Sequence, residues 1–174
     1  MTHRFLLESR DIYSFMNPML VICPSCGRQA DVWERNDEVR LSCLHCGHLQ
    51  TKESGSKYVG EAVDVYFGLP LFLQAGCFGH VLWAYNREHL NYIKDYIDAK
   101  IRTSEGTNRS LESRLPAWMK SKQNRKEVLR TIEKLELMIE GSTEPTRRTP
   151  IHRETPIDIG DERDKMEASQ SSCL

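Results

Sequence analysis

The sequence predicts an α+β protein in which a small β-module that carries two cysteine pairs precedes a helical region. Two C-x-x-C pairs flank a segment where apolar and polar residues alternate, as in a β-hairpin. Later, apolar residues recur every three or four positions along two segments, as in amphipathic helices. We expect five regions: a loosely ordered lead-in (1–19), a zinc ribbon (20–50), a linker (51–61), a small domain of extended segments and helices (62–140) and a disordered tail (141–174).

Composition and cysteine usage favour a soluble, cytoplasmic protein. Charged residues make up 28% and hydrophobic residues 39% of the 174 residues, which allows only a modest core. The longest apolar stretch, 63–82, is interrupted by Asp64, Pro70 and three glycines, so we expect no membrane span. Four of the six cysteines form close pairs and no secretory signal precedes them. This pattern indicates metal binding in a reducing compartment rather than disulfides.

The paired cysteines are the candidate ligands of one structural Zn²⁺: Cys23, Cys26, Cys43 and Cys46. Each pair can place two thiolates on one tight turn, and a hairpin between the pairs brings both turns together as a tetrahedron. Gly27 and Gly47 follow the pairs, where a positive φ lets backbone N–H groups approach sulfur. Four thiolates leave no open coordination position, so we expect a structural site.

Other ligands and metals stay open at this point. Iron in a rubredoxin-like site would use the same four cysteines. His45 and His48 lie in and beside the second pair and could replace a thiolate, although we interpret them as bystanders. Cys77 and His80 also have a chelating separation. Because no second pair accompanies them, we interpret Cys77 as a buried structural residue; the alternatives are a second metal site or a reactive thiol.

Alternation and turn residues predict a β-hairpin, and two later apolar segments are expected to be extended. Asn36 and Asp37 supply the turn of the hairpin between the cysteine pairs. The polar segment that contains Gly55 reads as a linker. The predicted strands of the hairpin lie at 30–35 and 38–41, and residues 62–67 and 69–74 are expected to be short strands or extended segments that cover a core.

The first predicted helix covers residues 86–102. Asn86 is its expected cap. Its apolar stripe consists of Leu90, Ile93, Ile97 and Ile101. Glu88 and His89 are interpreted as solvated or capping positions on its surface. A loop is expected at 103–108.

The second predicted helix follows a short helical segment, which Pro116 begins and which carries Trp118 and Met119. Asn124 and Glu127 form a capping-box pattern. The apolar face consists of Val128, Leu129, Ile132, Leu135 and Ile139, and Gly141 is the expected stop. Beyond it, few residues could be buried, so we expect a disordered tail; its two TPI triplets, 149–151 and 155–157, are an alternative docking repeat.

Positive charge is concentrated in residues 100–130, which hold nine Lys and Arg against three acidic residues. The candidate nucleic-acid-binding residues there are Lys120, Lys122, Arg125 and Lys126. Trp118 could stack on a base. The alternative is that these cations are ordinary solubilising surface and that Trp118 anchors the core.

No catalytic signature is present. The sequence lacks a Walker loop, a dinucleotide fingerprint, a G-x-S-x-G elbow and an H-E-x-x-H pair. We therefore expect neither an enzyme nor a small-molecule substrate.

The segments CPSCG and CLHCG resemble the zinc ribbons of the transcription factor TFIIB type. Residues 66–74, 82–90 and 115–136 are similar to a family of small bacterial zinc-ribbon proteins. Members of that family are sometimes labelled after the primosomal replication-restart helicase, whose motor motifs this chain lacks. The resemblance implies the four cysteine ligands and a bacterial cytosolic setting.

These observations support three functional hypotheses. The first is a zinc-binding, non-enzymatic adaptor that contacts nucleic acid or a nucleic-acid-handling complex. The alternative is a protein–protein interaction module with a purely structural zinc site. A third is a thiol redox switch that acts through loss of zinc.

Overall fold

The structure is a computed structural model that describes residues 4–6, 10–57, 59–99, 101–103 and 110–142. Residues 1–144 group into one compact unit and residues 145–174 into a second, so every described residue belongs to the first. The predicted α+β class is confirmed. The strands are β1 (Arg4–Leu6), β2 (Met19–Ile22), β3 (Gln29–Arg35), β4 (Glu38–Ser42), β5 (Leu49–Glu53), β6 (Leu73–Cys77), β7 (His80–Ala84) and β8 (Ile101–Thr103). The helices are α1 (Arg87–Asp98), α2 (Leu111–Arg114), α3 (Ala117–Lys120) and α4 (Arg125–Ser142), with a 3-10 helix at Ile12–Phe15.

The expectation of a loosely ordered lead-in is wrong for residues 10–19. Asp11 caps the 3-10 helix by accepting a hydrogen bond from the Ser14 N–H at 3.0 Å. Phe15 and Met19 are fully buried. A single helical turn is too short to show a hydrophobic period, which is why the sequence pattern missed it.

Strands β2 to β5 form an antiparallel sheet in the order β2-β3-β4-β5. The predicted hairpin is confirmed as β3 and β4, and its two turn residues, Asn36 and Asp37, have φ of 52° and 62°. Positive φ at both positions is the geometry of a two-residue type I′ turn. The start of the predicted linker instead belongs to β5, an edge strand whose five residues are all exposed.

The β2 strand joins this sheet to the rest of the core. The Leu20 N–H donates to the Tyr85 carbonyl at 2.7 Å, and the Leu20 carbonyl accepts from the Phe72 N–H at 2.9 Å. On the inner face of the sheet, Val32 and Leu41 are fully buried in the same hydrophobic cluster as the helices. The ribbon and the later elements therefore share one core, while the domain boundaries drawn from composition stay predictions.

Of the two segments expected to be strands or extended, 69–74 is confirmed in part, because Pro70 and Leu71 form β-bridges and β6 begins at Leu73, whereas 62–67 forms no strand beyond a bridge at Val63. The first segment is a turn around buried Asp64, whose carboxylate accepts from the N–H groups of Tyr66, Phe67 and Leu69 at 2.9, 2.7 and 2.6 Å. The second segment runs into β6, which forms a hairpin with β7. Phe78 and Gly79, with φ of 51° and 74°, form its turn. Gly79, which interrupts the apolar stretch in the sequence, thus supplies the positive φ that the turn of this hairpin needs.

The α1 helix begins as predicted and ends four residues early. The Asn86 side chain accepts from the His89 N–H at 2.9 Å, and Leu90, Ile93 and Ile97 are buried. Ala99 then adopts an extended backbone, and the chain continues as β8, which pairs in parallel with β1. Ile101 matches the helical period but lies in that strand, because pairing with a distant segment outweighs local propensity.

The α4 helix confirms the predicted apolar face. Val128, Ile132 and Leu135 are fully buried and Ile139 nearly so, while Leu129 is half-buried. The helix runs through Gly141 to Ser142, so the predicted stop is one residue early. The Asn124 side-chain amide donates to the Trp118 carbonyl and so ties the α4 start to α3. The predicted short helical segment after Pro116 is confirmed as α3.

The predicted loop beyond Thr103, and the tail with its TPI triplets beyond residue 142, lie outside the described residues.

Candidate metal centre

Two matching turns carry the four cysteines. One joins β2 to β3 and the other joins β4 to β5. In the first, the Cys23 N–H donates to the Arg28 carbonyl at 2.7 Å and the Gly27 N–H donates to the Cys23 carbonyl at 2.9 Å. The second repeats this pattern: the N–H groups of Cys43 and Gly47 donate to the carbonyls of His48 and Cys43 at 2.9 and 3.0 Å, respectively. The sheet therefore places two equivalent knuckles face to face.

Gly27 and Gly47 adopt the positive φ that the sequence predicted. Their φ values are 72° and 76°, in the left-handed region that favours glycine. An added Cβ would meet no atom within 4 Å at either position, so backbone conformation is the reason that glycine suits these sites.

The four sulfur atoms lie at the spacing of a tetrahedral metal site. Cys23 Sγ is 3.7 Å from Cys46 Sγ, and Cys26 Sγ is 3.7 Å from Cys43 Sγ. All four sulfurs lie within 4.8 Å of one another, and all four cysteines are free. A tetrahedron with metal–sulfur bonds of about 2.3 Å has edges of about 3.8 Å. The structure thus places four thiols to hold one metal ion, as predicted from the sequence.

Two of the four cysteines are buried and the other two are exposed to solvent. Cys23 and Cys43, the first cysteine of each knuckle, are 1% and 3% exposed, whereas Cys26 and Cys46 are exposed. The cluster therefore lies at the edge of the molecule, anchored from one side.

The pKa values of these thiols differ because backbone N–H groups, burial and neighbouring sulfurs act on them to different extents. Burial raises the pKa of Cys23, but the backbone N–H groups of Cys26 and Ser25 outweigh it and lower the pKa to about 7. At Cys46, an exposed residue, the His48 backbone N–H lowers the pKa, but partial desolvation of the sulfur and its three neighbouring thiols outweigh it, so the pKa rises to about 12. Four thiolates this close repel one another, and a bound cation is what would let all of them ionise.

Two hydrogen bonds that the sequence did not predict join the knuckles to each other. His48 Nδ1 lies 3.0 Å from Ser25 Oγ, and Arg28 Nη1 donates to His45 Nδ1 at 3.3 Å. Each pair takes one residue from each knuckle. Both histidines are thus engaged outside the four-sulfur cluster, in line with their interpretation as bystanders.

The Cys77 and His80 pair gains no further ligand. Cys77 is buried at the end of β6, and its register partner His80 stacks on Trp118 with ring centroids 4.9 Å apart. Within the described ranges, the four knuckle cysteines are the one group of three or more such residues close enough to share an ion.

The predicted nucleic-acid-binding residues differ in their surroundings. Lys122 and Lys126 are exposed, whereas Arg125 Nη2 donates to the Ala99 carbonyl at 2.9 Å and so joins α4 to the end of α1. Lys120 Nζ lies 3.4 Å from the Ser113 carbonyl. Trp118 packs against the core and on His80, as in the anchor interpretation.

Sequence reasoning missed one surface feature and one buried feature. On the outer face of the sheet, exposed Trp33 lies directly across from exposed Arg40. The alternation of β3 predicts this outward position, but nothing in the pattern marked the pair. The expectation that His89 is a surface residue is wrong, because its side chain is 2% exposed. Glu88 beside it is exposed, as expected.

No protein-family model matches this chain, and neither does any curated protein or solved structure. The family resemblance in the cysteine knuckles therefore stays a prediction. None of the helices in the described ranges is long and apolar enough to span a membrane.

Proposed function

We propose that the protein is a zinc-binding, non-enzymatic adaptor that contacts nucleic acid or a nucleic-acid-handling complex. Four clustered thiols are the donor set of a structural zinc site, and a fully occupied ligand set leaves no position for substrate. In this proposal the metal fixes the ribbon sheet, and the surfaces of that sheet make the contacts.

The observation that carries the nucleic-acid contact is the Trp33–Arg40 pair. The two residues are opposite one another on β3 and β4, and Trp33 is 45% exposed on the face directed away from the core. Arg35 is exposed two residues along the same strand. An aromatic ring flanked by cations can stack on a base while the cations contact phosphates. Lys122 and Lys126 add exposed positive charge elsewhere on the surface.

A salt titration with a labelled single-stranded oligonucleotide tests this proposal. Trp33→Ala should weaken binding by about tenfold, in line with the loss of one stacked base. Arg40→Gln should reduce the slope of log affinity against log salt by about one, as expected for one phosphate contact. Lys134→Gln on exposed α4 surface makes the same charge change away from the sheet and should leave binding unchanged. Absence of binding at low salt would refute the nucleic-acid contact.

A second candidate function is a protein–protein interaction module. Leu44 is 89% exposed at the tip of the second knuckle, and Leu49 is 54% exposed just beyond it. Two exposed leucines beside a metal site can form the apolar centre of a partner interface. If this function is correct, Leu44→Ser should abolish co-purification of a partner from the native host while zinc content stays at one ion per chain.

The exposed sulfurs of Cys26 and Cys46 favour the third hypothesis, a thiol redox switch. Mild peroxide should then release zinc and reductant should restore it. Retention of zinc in peroxide would rule this function out.

A further inference from the structure

The outer face of the ribbon sheet carries an open recess of about 790 Å³ around Trp33. Small-molecule sites typically have volumes of roughly 300–1,000 Å³, so this recess has room for a nucleobase with its sugar. Its lining includes Arg35, Glu38 and Arg40 beside Trp33, and all four residues are exposed. The surface that carries the proposed nucleic-acid contact therefore holds an anion as well as cations around the ring.

Strand register sets the order of these side chains. Arg40 on β4 lies directly across from Trp33, and Arg35 lies two residues further along β3, on the same face as the ring. Glu38 lies directly across from Arg35, in the last pair before the β3–β4 turn. Residues directly opposite one another in an antiparallel pair have Cβ atoms about 4.5–5.5 Å apart. Arg35 and Glu38 thus form a cation and an anion side by side, next to the ring.

Neither of these two charges is used by the fold. Across the described part of the chain, none of the ion pairs engages Arg35 or Glu38, although they face one another. Glu34, the other acidic residue in the lining, is occupied, because its carboxylate accepts from Lys57 Nζ at 2.7 Å and from Ser54 Oγ. Glu38 is therefore the carboxylate of the recess that stays open to a ligand.

A carboxylate beside a guanidinium presents hydrogen-bond acceptors next to hydrogen-bond donors. Guanine has the matching pattern, because its N1–H and N2–H₂ donors adjoin its O6 and N7 acceptors. Arginine bonds O6 and N7 with both arms of its fork, which is the commonest specific contact to this base. Adenine, cytosine, uracil and thymine each have a single donor group on the Watson–Crick edge and would leave the carboxylate poorly matched. The pair of charges therefore favours guanine over the other bases.

We propose that this recess selects an unpaired guanine in a single strand of nucleic acid, a selection that rests on the nucleic-acid contact proposed above. The base stacks on Trp33 and donates from N1–H and N2–H₂ to Glu38. Its O6 and N7 accept from Arg35, while Arg40 keeps its phosphate contact. Base pairing would occupy N1–H and N2–H₂, so the selection applies to single strands and loops and not to duplexes.

Short oligothymidylates with one variable central base test the selection in the full-length, zinc-loaded protein. In fluorescence-anisotropy titrations, central guanine should bind about tenfold more tightly than central adenine, as expected for one bidentate base contact. Hypoxanthine lacks the N2 amino group and 7-deazaguanine lacks N7, so each should lose part of this gain. Free dGMP has the same base without neighbouring phosphates and should compete only at a higher concentration than the guanine oligonucleotide.

Three variants at exposed positions separate base recognition from surface charge. Glu38→Gln should remove most of the guanine preference and strengthen binding of the adenine oligonucleotide, because it takes a negative charge away from the phosphates. If Glu38 acted through its charge alone, both oligonucleotides would bind more tightly by the same factor. Arg35→Lys keeps the charge without the fork and should lower the preference while the salt slope stays unchanged. Glu53→Gln is the matched control, since Glu53 lies across from Glu38 on β5 but outside the recess, and it should leave the preference unchanged.

Equal affinity of the unaltered protein for the guanine and adenine oligonucleotides would overturn the selection and leave the nucleic-acid contact standing. A guanine preference that persists in Glu38→Gln would also overturn it. Competition by dGMP at the same concentration as the guanine oligonucleotide would show that the strand is not the source of the base. Absence of binding to every oligonucleotide at low salt would refute both the selection and the nucleic-acid contact.

Discussion

Acid should destabilise this protein through His89. The pKa of the buried imidazole is lowered from 6.5 to about 3. A lowered histidine pKa means that the unfolded chain binds a proton more readily than the folded chain does. Stability is therefore highest above pH 6.5 and falls as the pH drops towards 3.

The magnitude follows from those two values. At pH 5 an unfolded histidine with pKa 6.5 is almost fully protonated, while the folded one at about 3 is almost neutral. The free energy of unfolding should then be about 2 kcal/mol lower at pH 5 than at pH 7.5. It should fall by about 1.4 kcal/mol for each pH unit below pH 6.5. Burial is the cause of this shift, and the rings of Phe15, Trp83 and Tyr85 pack against the imidazole.

Urea denaturation of the zinc-loaded protein at several pH values measures the effect. His89→Gln is the matched variant, since a neutral amide can accept from the Tyr85 N–H and does not titrate. Protonation of the metal-binding thiols lowers stability in both proteins and cancels in the comparison. The difference between the two proteins should grow by about 2 kcal/mol from pH 7.5 to pH 5. Parallel curves across this range would refute the argument.

Three further predictions concern the ribbon and the turn around Asp64. Cys43→Ser should leave well under one zinc per chain by elemental analysis. It should also remove hydrogen-exchange protection from β3 and β4 while α4 stays protected. Full zinc content would contradict the assigned ligand set. Gly47→Ala should cost about 1 kcal/mol in urea denaturation because its φ is 76°, whereas Gly55→Ala, where an added Cβ also meets no atom within 4 Å, should be close to neutral. Asp64→Ala leaves three N–H groups without their acceptor and should cost roughly 3 kcal/mol, with a smaller loss for Asp64→Asn.

The cysteine knuckles, α3, α4 and most of α1 were predictable because their signals are local. The C-x-x-C spacing and the following glycines fix each knuckle, and the Asn-Asp turn between them fixes the hairpin. The same holds for the stripes of α1 and α4, where the buried positions recur at helical spacing within one segment. No distant contact was needed to predict these elements.

The errors arise where distant segments decide the structure. Ile101 continues the α1 period, but β8 pairs with β1 almost a hundred residues earlier in the chain. Asp64 turns an apolar segment into a loop by accepting three backbone hydrogen bonds. His89 follows an exposed glutamate on α1, yet three rings from two other segments, the 3-10 helix and the end of β7, pack around it. Local period cannot report such contacts.

The position of β2 explains how one metal site can organise more than its own turns. Cys23 follows β2 directly, and Leu20 within β2 exchanges hydrogen bonds with Tyr85 and Phe72 of the shared core. A metal ion that held Cys23 would therefore fix the end of a core strand, and the same ion would fix the sheet that presents Trp33. Coordination by all four thiols would suit this double structural role, because it would hold both knuckles and leave no open position on the metal.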